Sequence, residues 1–472
     1  MVFASLIFLC IFMPLSLVLY YISPNRHYRN GVLILASLVF YAWGEPKWIS
    51  ILLFITFFCY LNGIMAEKYK GSRKGKVVVA LAVAGNLMFL VLFKYTGFFL
   101  ETVNSITRMN INIPEISLPI GISFYTFQTI SYVVDVYRGE VKAQKNPFKL
   151  LLYVSMFHQL IAGPIVRYRD IAEDIEHREE TWEKIQQGVR RFSTGLAKKV
   201  LLANIAGDLA KAFLDGNLVR LSVAGAWTGI LLYAFQIYFD FSGYSDMAIG
   251  LGKMFGFTYK ENFNYPYISK SFTEFWRRWH ISLSSFFRDY LYIPLGGNRK
   301  NHLRNLFIVW FSTGLWHGAS WNFVLWGIFN FVFIFLEKVF LGKLLEKAPA
   351  LLSRLYFIVF VLVGWTFFYF TDTTRLFAYL GAMFGAGGRS LVDFNATLTL
   401  QNNLIFIVIC IIACVPVGKF TAKTLDKLPG TKTKLIFGLK TYVEPLLLLL
   451  VFITTLVFMV SQTYNPFLYF RF

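Results

Sequence analysis

The sequence predicts an all-α, polytopic integral membrane protein, with about ten to twelve transmembrane helices plus re-entrant and interfacial ones. Three observations predict this. The chain of 472 residues is 56% hydrophobic and only 15% charged, whereas a soluble protein carries about 25% charged and 45–50% apolar residues. Long apolar stretches recur at 2–22, 49–65, 77–93, 351–370, 404–417 and 446–460, most of them near the roughly 20 residues needed to cross the hydrocarbon core. The basic residues behind the net charge of +20 fall in short segments between those stretches. That pattern follows the positive-inside rule, with attraction to anionic lipid as a second effect, and excludes a nucleic-acid partner.

The first stretch, 2–22, has no positive leading region and no small-residue cleavage site, so it reads as a span rather than a signal peptide. Arg26, His27 and Arg29 follow it, and Lys68, Lys70, Arg73, Lys74 and Lys76 follow the third segment. Two crossings separate these clusters, which makes both cytoplasmic and puts the N-terminus outside. The loop 101–117 holds one arginine, as an outside loop should, and 118–134 returns the chain to the basic stretch 138–149. Next, 148–166 is apolar but has basic residues on both sides. It therefore reads as re-entrant, broken at Gly163-Pro164. Residues 167–187 form a charged cytoplasmic segment, and His158 reads as structural.

Asp240 and Asp246 sit in an apolar context at 238–257. Intramembrane carboxylates are costly and are kept for pairing or for function. Ion pairs with Arg277, Arg278 or Lys253 and a direct chemical role are equally open. The stretch 272–290, FTEFWRRWHISLSSFFRDY, places its aromatic residues on one face of a helix and its arginines on the other. It reads as an interfacial helix with His280 at the edge of the apolar stripe, facing a cavity at the cytoplasmic mouth. The turn Gly296-Gly297-Asn298 offers free backbone N–H groups beside Arg299 and Lys300, a weak anion-site signal.

From 306 to 336 the chain has no Asp, Glu, Lys or Arg, yet it carries His317 within GLWHGASWN. A single helix of that length would measure about 46 Å against a core of about 30 Å, and both flanks are basic. Two shorter helices that turn near 317–320 satisfy length and charge, leaving His317 deep in the membrane at a break. Beyond it, 351–370 crosses, 385–402 lies outside, 404–418 returns, the basic loop 419–440 is cytoplasmic, and a last span leaves YNPFLYFRF outside. The four cysteines, Cys10, Cys59, Cys410 and Cys414, read as small hydrophobes. The chain is a single membrane domain, with N-terminal helices at 1–117, a core at 118–336 and C-terminal helices at 337–472.

No Gly-x-Ser-x-Gly elbow, Walker loop or His-Glu-x-x-His motif occurs, and His280 and His317 do not make a convincing zinc site. A neutral imidazole in a dry site serves as a general base toward a hydroxyl attacking a thioester. It serves equally well in a proton-coupled transporter, and the residues alone leave that choice open.

The motifs decide it by resemblance. SFYTFQTISYVVDVYRG (123–139), FHQLIAGPIVRY (157–168), YFDFSGYSDMAIGLGKMFGF (238–257), NFNYPYISKSFTEFWRRWHISLSSFFRDYLYIPLGGNR (262–299) and GLWHGASWNFVLWG (314–327), with YAWGEPKW (41–48) and the terminal YNPFLYFRF, resemble the membrane-bound O-acyltransferases and, within them, the bacterial alginate O-acetyltransferase subgroup. The resemblance implies the fold of that family, in the bacterial cytoplasmic membrane. It implies His317 as the catalytic histidine and His280 as the second signature histidine. It also implies a cytoplasmic thioester donor, acetyl-CoA, with no permanently bound cofactor and no metal. The acetyl group is expected to pass to an SGNH-type partner on the outer face and then to a polysaccharide such as alginate. On this reading Arg277, Arg278, Arg299 and Lys300 hold the anionic part of the donor. Asp240 or Asp246 fixes a histidine tautomer, and Asn322 supports the site. D-alanyl transfer in teichoic acid modification is the runner-up, and a non-enzymatic carrier or flippase is the rival class.

Overall fold

The computed structural model describes residues 1–161, 163–418, 442–461 and 467–468. The basic loop at 419–440 and most of the terminal YNPFLYFRF lie outside the described residues. Every regular element among the described residues is helical. In chain order these are α1 (Phe8–Tyr21), α2 (Arg26–Gly44), α3 (Ile49–Lys68), α4 (Arg73–Thr107), α5 (Ile122–Arg138), α6 (Pro147–Ser155), α7 (Phe157–Leu160) and α8 (Tyr168–His177). Then come α9 (Trp182–Ala197), which runs through a π-helical stretch into α10 (Ile205–Leu214), and α11 (Val223–Met254). After these follow α12 (Phe272–Trp276), α13 (Ile281–Phe287), α14 (His302–His317), α15 (Trp321–Lys347), α16 (Ala350–Tyr369), α17 (Thr373–Met383), α18 (Phe394–Asn402), α19 (Leu404–Ala413) and α20 (Glu444–Ser461).

The helix starts are written locally. The Asn25 side chain accepts from the N–H groups of His27 and Tyr28 at the head of α2. Ser222 accepts from Gly225 at the head of α11, and Asn146 caps α6 ahead of Pro147. Each supplies an acceptor to a donor that has no partner within its own helix.

The chain is a multi-pass membrane protein. Five described helices are long and apolar enough to cross alone, α3, α4, α15, α16 and α20, or six if the bent pair α18–α19, kinked by 66°, is one span. Alternating charge predicts a larger number. The difference is physical: α5 and α14 have only 17 and 16 residues, and glycine, tyrosine and aspartate dilute the apolar content of α11.

Helix α11, 32 residues long, spans about 48 Å and is buried along almost its whole length. Its closest partner is α9, and glycine on both sides permits the approach. A Cβ at Gly195 would lie 2.5 Å from the Gly243 carbonyl oxygen, and one at Gly188 would lie 2.7 Å from that of Gly250. Small residues that let two backbones touch are the usual means of packing helices in a membrane.

The stretch 148–166 starts and ends on one side, as its flanks predict. Arg169 pairs with Glu140, and Lys149 with Glu176. Gln144 Nε2 donates to the Tyr168 hydroxyl at 2.8 Å. Between those ends the chain makes α6, a break at Met156, the single turn α7 and an irregular run at 164–167. The C-terminal end of α11 is clamped from the same region. Arg178 Nε donates to Tyr20 Oη at 2.8 Å and to the Phe255 carbonyl at 3.1 Å, while Glu180 accepts from Arg26, Arg29 and Tyr20.

One predicted element differs. The continuous interfacial helix over 272–290 is two short helices, α12 and α13, joined by a turn at 277–280 in which His280 is left-handed (φ 44°, ψ 53°). Its two faces are as predicted, but the aromatic face packs on protein rather than lipid. Phe272 stacks on Phe333, Phe275 on Trp279, and Trp276 meets Trp310 edge-on. The amphipathic period carries the same signal for either neighbour.

Candidate functional site

The predicted break is present. Helices α14 and α15 form a hairpin with residues 318–320 at its tip. Its two legs touch through glycine: a Cβ at Gly314 would meet the Phe323 carbonyl oxygen at 2.4 Å, and one at Gly327 would meet that of Trp310 at 2.5 Å. At the open end Lys338 Nζ donates to Asn298 Oδ1 at 3.3 Å, so both basic flanks lie on one side.

His317 is the last residue of α14 and is buried. A helix end leaves carbonyl oxygens without partners in the helix, and here α4 supplies donors for three in a row. Tyr95 Oη donates to the Leu315 oxygen at 2.7 Å, and Lys94 Nζ to those of Trp316 at 2.5 Å and His317 at 3.3 Å. Both side chains come from a π-helical turn, Val91–Tyr95, of the kind that recurs at functional sites. Neither residue was picked out by sequence reasoning. The available signal was a lone lysine interrupting an apolar span, which is functional by default at membrane depth.

Aromatic rings wall the imidazole of His317. The centroids of Trp326, Trp316 and Phe368 lie 4.9, 5.0 and 5.2 Å away. On one side opens a narrow cavity of about 20 Å³, lined by His317, Asp240, Phe241, Trp279, Trp365 and Phe467 among others. That is room for about one water. Asp240 from the middle of α11 is the carboxylate on this wall. It is paired with Lys199 (Nζ–Oδ1 2.5 Å) and accepts from the Leu468 N–H at 2.6 Å.

His280, in the left-handed turn between α12 and α13, is fully buried rather than facing a cytoplasmic mouth. Its ring lies edge-on to Phe241, with centroids 4.6 Å apart, and 6.0 Å from Trp316. The Trp316 indole thus neighbours both histidines. His158 is also buried, and its Nδ1 meets the Tyr259 hydroxyl at 2.7 Å, in line with a structural reading.

The structure brings His317 and Asp240 onto one cavity, but not the other predicted site residues. Asp246 is held by Arg191 and Lys198, at 2.7 Å each. The partners expected for the two aspartates, Arg277, Arg278 and Lys253, are engaged elsewhere or exposed. Arg278 pairs with Glu274 at 2.9 Å, Lys253 donates to Gln187 at 2.7 Å, and Arg277 is exposed. Arg299 and Lys300 are exposed at the turn after α13. None of the four basic residues lines the cavity. The tight turn itself is real, with Gly296 at φ 109° and Gly297 at φ 56°. Most of its N–H groups are already engaged: those of Gly296 and Gly297 bond to the Ile293 and Tyr292 carbonyls, and that of Arg299 bonds to Gly296. Asn322 is buried at the start of α15, where its Nδ2 donates to the Phe367 carbonyl at 3.0 Å and ties the hairpin to α16.

The family model for membrane-bound O-acyltransferases matches residues 35–380. A protein of Azotobacter vinelandii named probable alginate O-acetylase is 39% identical, with all of both chains covered. A protein of the same name from Pseudomonas putida is 38% identical, again over both whole chains. A peptidoglycan O-acetyltransferase of Helicobacter pylori is 34% identical over 84% of this chain and 82% of its own.

Proposed function

This chain belongs to the membrane-bound O-acyltransferase family, and from that premise we propose that this O-acyltransferase moves acetyl groups from a cytoplasmic thioester, acetyl-CoA, to the hydroxyls of an envelope polysaccharide. Alginate is the preferred acceptor because relatives covered end to end carry that name. The protein works in the bacterial cytoplasmic membrane with both termini outside, and an SGNH-type protein on the outer face completes delivery.

One observation carries the reading: an imidazole at the broken tip of a membrane hairpin, walled by aromatic rings and opening on a narrow cavity it shares with Asp240. His317 takes the proton of the acceptor hydroxyl as that oxygen attacks the thioester carbonyl. The tetrahedral intermediate then collapses, the C–S bond breaks, and the departing sulfur takes the proton from the imidazolium. Ester and thiol are the products, and the imidazole is regenerated. The aromatic wall excludes water, which would otherwise hydrolyse the thioester. With its ring surrounded by Trp316, Trp326 and Phe368, the imidazole has few orientations open to it. That supplies the positioning such chemistry needs.

The test is His317→Ala. Acetate on the polymer should disappear while the protein still accumulates in the membrane, and undiminished acetylation would sink the assignment. Labelled acetyl-CoA offered to purified protein with its partner separates the rival classes, because a carrier moves an intact solute without consuming thioester. Labelled D-alanine appearing on a polymer in place of acetate would favour D-alanyl transfer.

A further inference from the structure

The second signature histidine has a feature that its motif does not explain. His280 is a non-glycine residue held at φ 44°, a conformation that costs on the order of 1 kcal/mol and persists where the surroundings impose it. The constraint comes from Asn262, eighteen residues earlier and itself fully buried. The Asn262 carbonyl accepts from the Ile281 N–H at 2.9 Å. Its side-chain Oδ1 accepts from the Ser282 N–H at 3.1 Å and from Ser282 Oγ at 2.9 Å. Ser282 Oγ in turn accepts from the Ile165 N–H at 3.0 Å, which ties the turn to the re-entrant segment.

This arrangement settles which way the amide faces. A backbone N–H only donates, so the atom that Ser282 N–H meets is the oxygen and not the NH₂. The same oxygen lies 3.3 Å from His280 Nδ1. Ser282 Oγ lies 3.4 Å from that nitrogen and gives its own proton to Asn262 Oδ1 at the shorter 2.9 Å, so both neighbours of Nδ1 face it as acceptors. An amide oxygen only accepts, so the proton of the neutral ring belongs on Nδ1. The other ring nitrogen, Nε2, is buried and has no hydrogen-bond partner among the described residues.

We propose that Asn262 is a positioning residue that holds His280 as the Nδ1–H tautomer, so that Nε2 presents a lone pair to an N–H, O–H or S–H of the reacting molecules. The consequence for the reaction is specific. In this state the ring's one donor, Nδ1–H, is spent on Asn262 and Nε2 can only accept, so His280 does not stabilise an oxyanion. It orients a donor group of the thioester substrate or of the incoming hydroxyl, while His317 takes the proton. The part of the proposal that concerns catalysis rests on the acyltransferase reading. The tautomer itself does not.

The experiment is ¹⁵N NMR of the full-length protein in lipid bilayers with labelled histidine, the His280 signals being assigned by their loss in His280→Gln. The expected spectrum has a protonated Nδ1 and a bare Nε2 on His280. A wild-type spectrum with the proton on Nε2 overturns the proposal, whatever the enzyme's activity. In Asn262→Ala the Nε2–H form should gain population, and kcat should fall about tenfold or more with KM for the thioester little changed. Asn262→Asp keeps an acceptor on Nδ1 and should restore both the tautomer and most of kcat. An Asn262→Ala protein with the wild-type tautomer and the wild-type rate would refute the positioning role. If that variant does not accumulate, the wild-type spectrum and Asn262→Asp still decide. Loss of thioester turnover in the wild type would reject the acyltransferase reading and leave the tautomer assignment standing.

Discussion

Lys199→Met isolates the ion pair beside the cavity. Lys199 and Asp240 face each other at 2.5 Å with side chains only 6% and 2% exposed, so neither charge is screened by bulk water. At an effective dielectric constant of about 20, two unit charges 4 Å apart attract by about 4 kcal/mol. Removing one partner from a buried pair costs about 3–5 kcal/mol, since the remaining charge stays desolvated. Methionine keeps the length and apolar bulk of the lysine, so packing loss adds little. Lys199→Met alone should therefore destabilise the protein by about 3–5 kcal/mol. Adding Asp240→Asn removes the stranded charge and should recover about 2 kcal/mol or more, leaving mainly the cost of weakened hydrogen bonds. The assay is unfolding in mixed micelles titrated with SDS and followed by tryptophan fluorescence, on both single variants and the double variant. A loss below about 1 kcal/mol in Lys199→Met, or no recovery in the double variant, would refute the view that this pair is buried and mutually dependent.

Lys94→Met should lower acyl transfer by about a hundredfold, because the end of α14 that carries His317 loses its cap and shifts. Lys94→Arg, which keeps charge and donors, should retain most activity in the same labelled-acetate assay. Glu180 gives the pH dependence: burial alone would raise its carboxyl, but hydrogen bonds from Arg26 and Tyr20 and the charge of Arg29 hold it below the ordinary 4.5. Its contribution is therefore fully present above about pH 4.5 and is lost as the pH falls through the lowered value. Glu180→Gln should flatten that acid limb in a stability titration. Gly195→Leu should cost about 1–3 kcal/mol through overpacking, since its Cβ would start 2.5 Å from the Gly243 oxygen. Thermal unfolding of the detergent-solubilised variant measures this. Glu337 accepts from the N–H groups of Phe272 and Thr273 at 2.6 and 2.9 Å. Glu337→Ala should thus destabilise the head of α12 by about 1.5–3 kcal/mol, read as lost amide-exchange protection there.

The features legible in the sequence were those set by water and lipid. Charge alternation placed 148–166 as re-entrant, and the Arg169–Glu140 and Lys149–Glu176 pairs agree. Length and flanking charge placed a break at 318–320, and α14 ends at His317. Those signals are one-dimensional, since a hydrocarbon layer of fixed thickness penalises charge and length wherever they occur. What was not legible was which protein surface each side chain meets. The aromatic face of 272–290 suits lipid and protein equally, and here it meets Phe333, Trp310 and Phe357. Arg277, Arg278 and Lys253 were the ion-pair partners weighed for Asp240, which pairs instead with Lys199, forty-one positions earlier. Pairing across helices depends on their rotation, and no period in a single sequence encodes that.

The same distinction explains why the two histidines are unequal although their motifs look alike. His317 is placed by elements the sequence announces, a charge-free stretch with a glycine-rich break, and its cap comes from a lysine whose isolation was visible. His280 is placed by a turn that no apolar pattern requires. Its backbone is left-handed without being glycine, and the residue that compensates, Asn262, reads in sequence as an ordinary polar loop position. A histidine set by membrane depth can be found by counting charges. One set by a hydrogen-bonded turn becomes visible only when donors and acceptors are matched atom by atom. At Asn262 that matching assigns the ring proton, and with it the kind of partner that His280 can take.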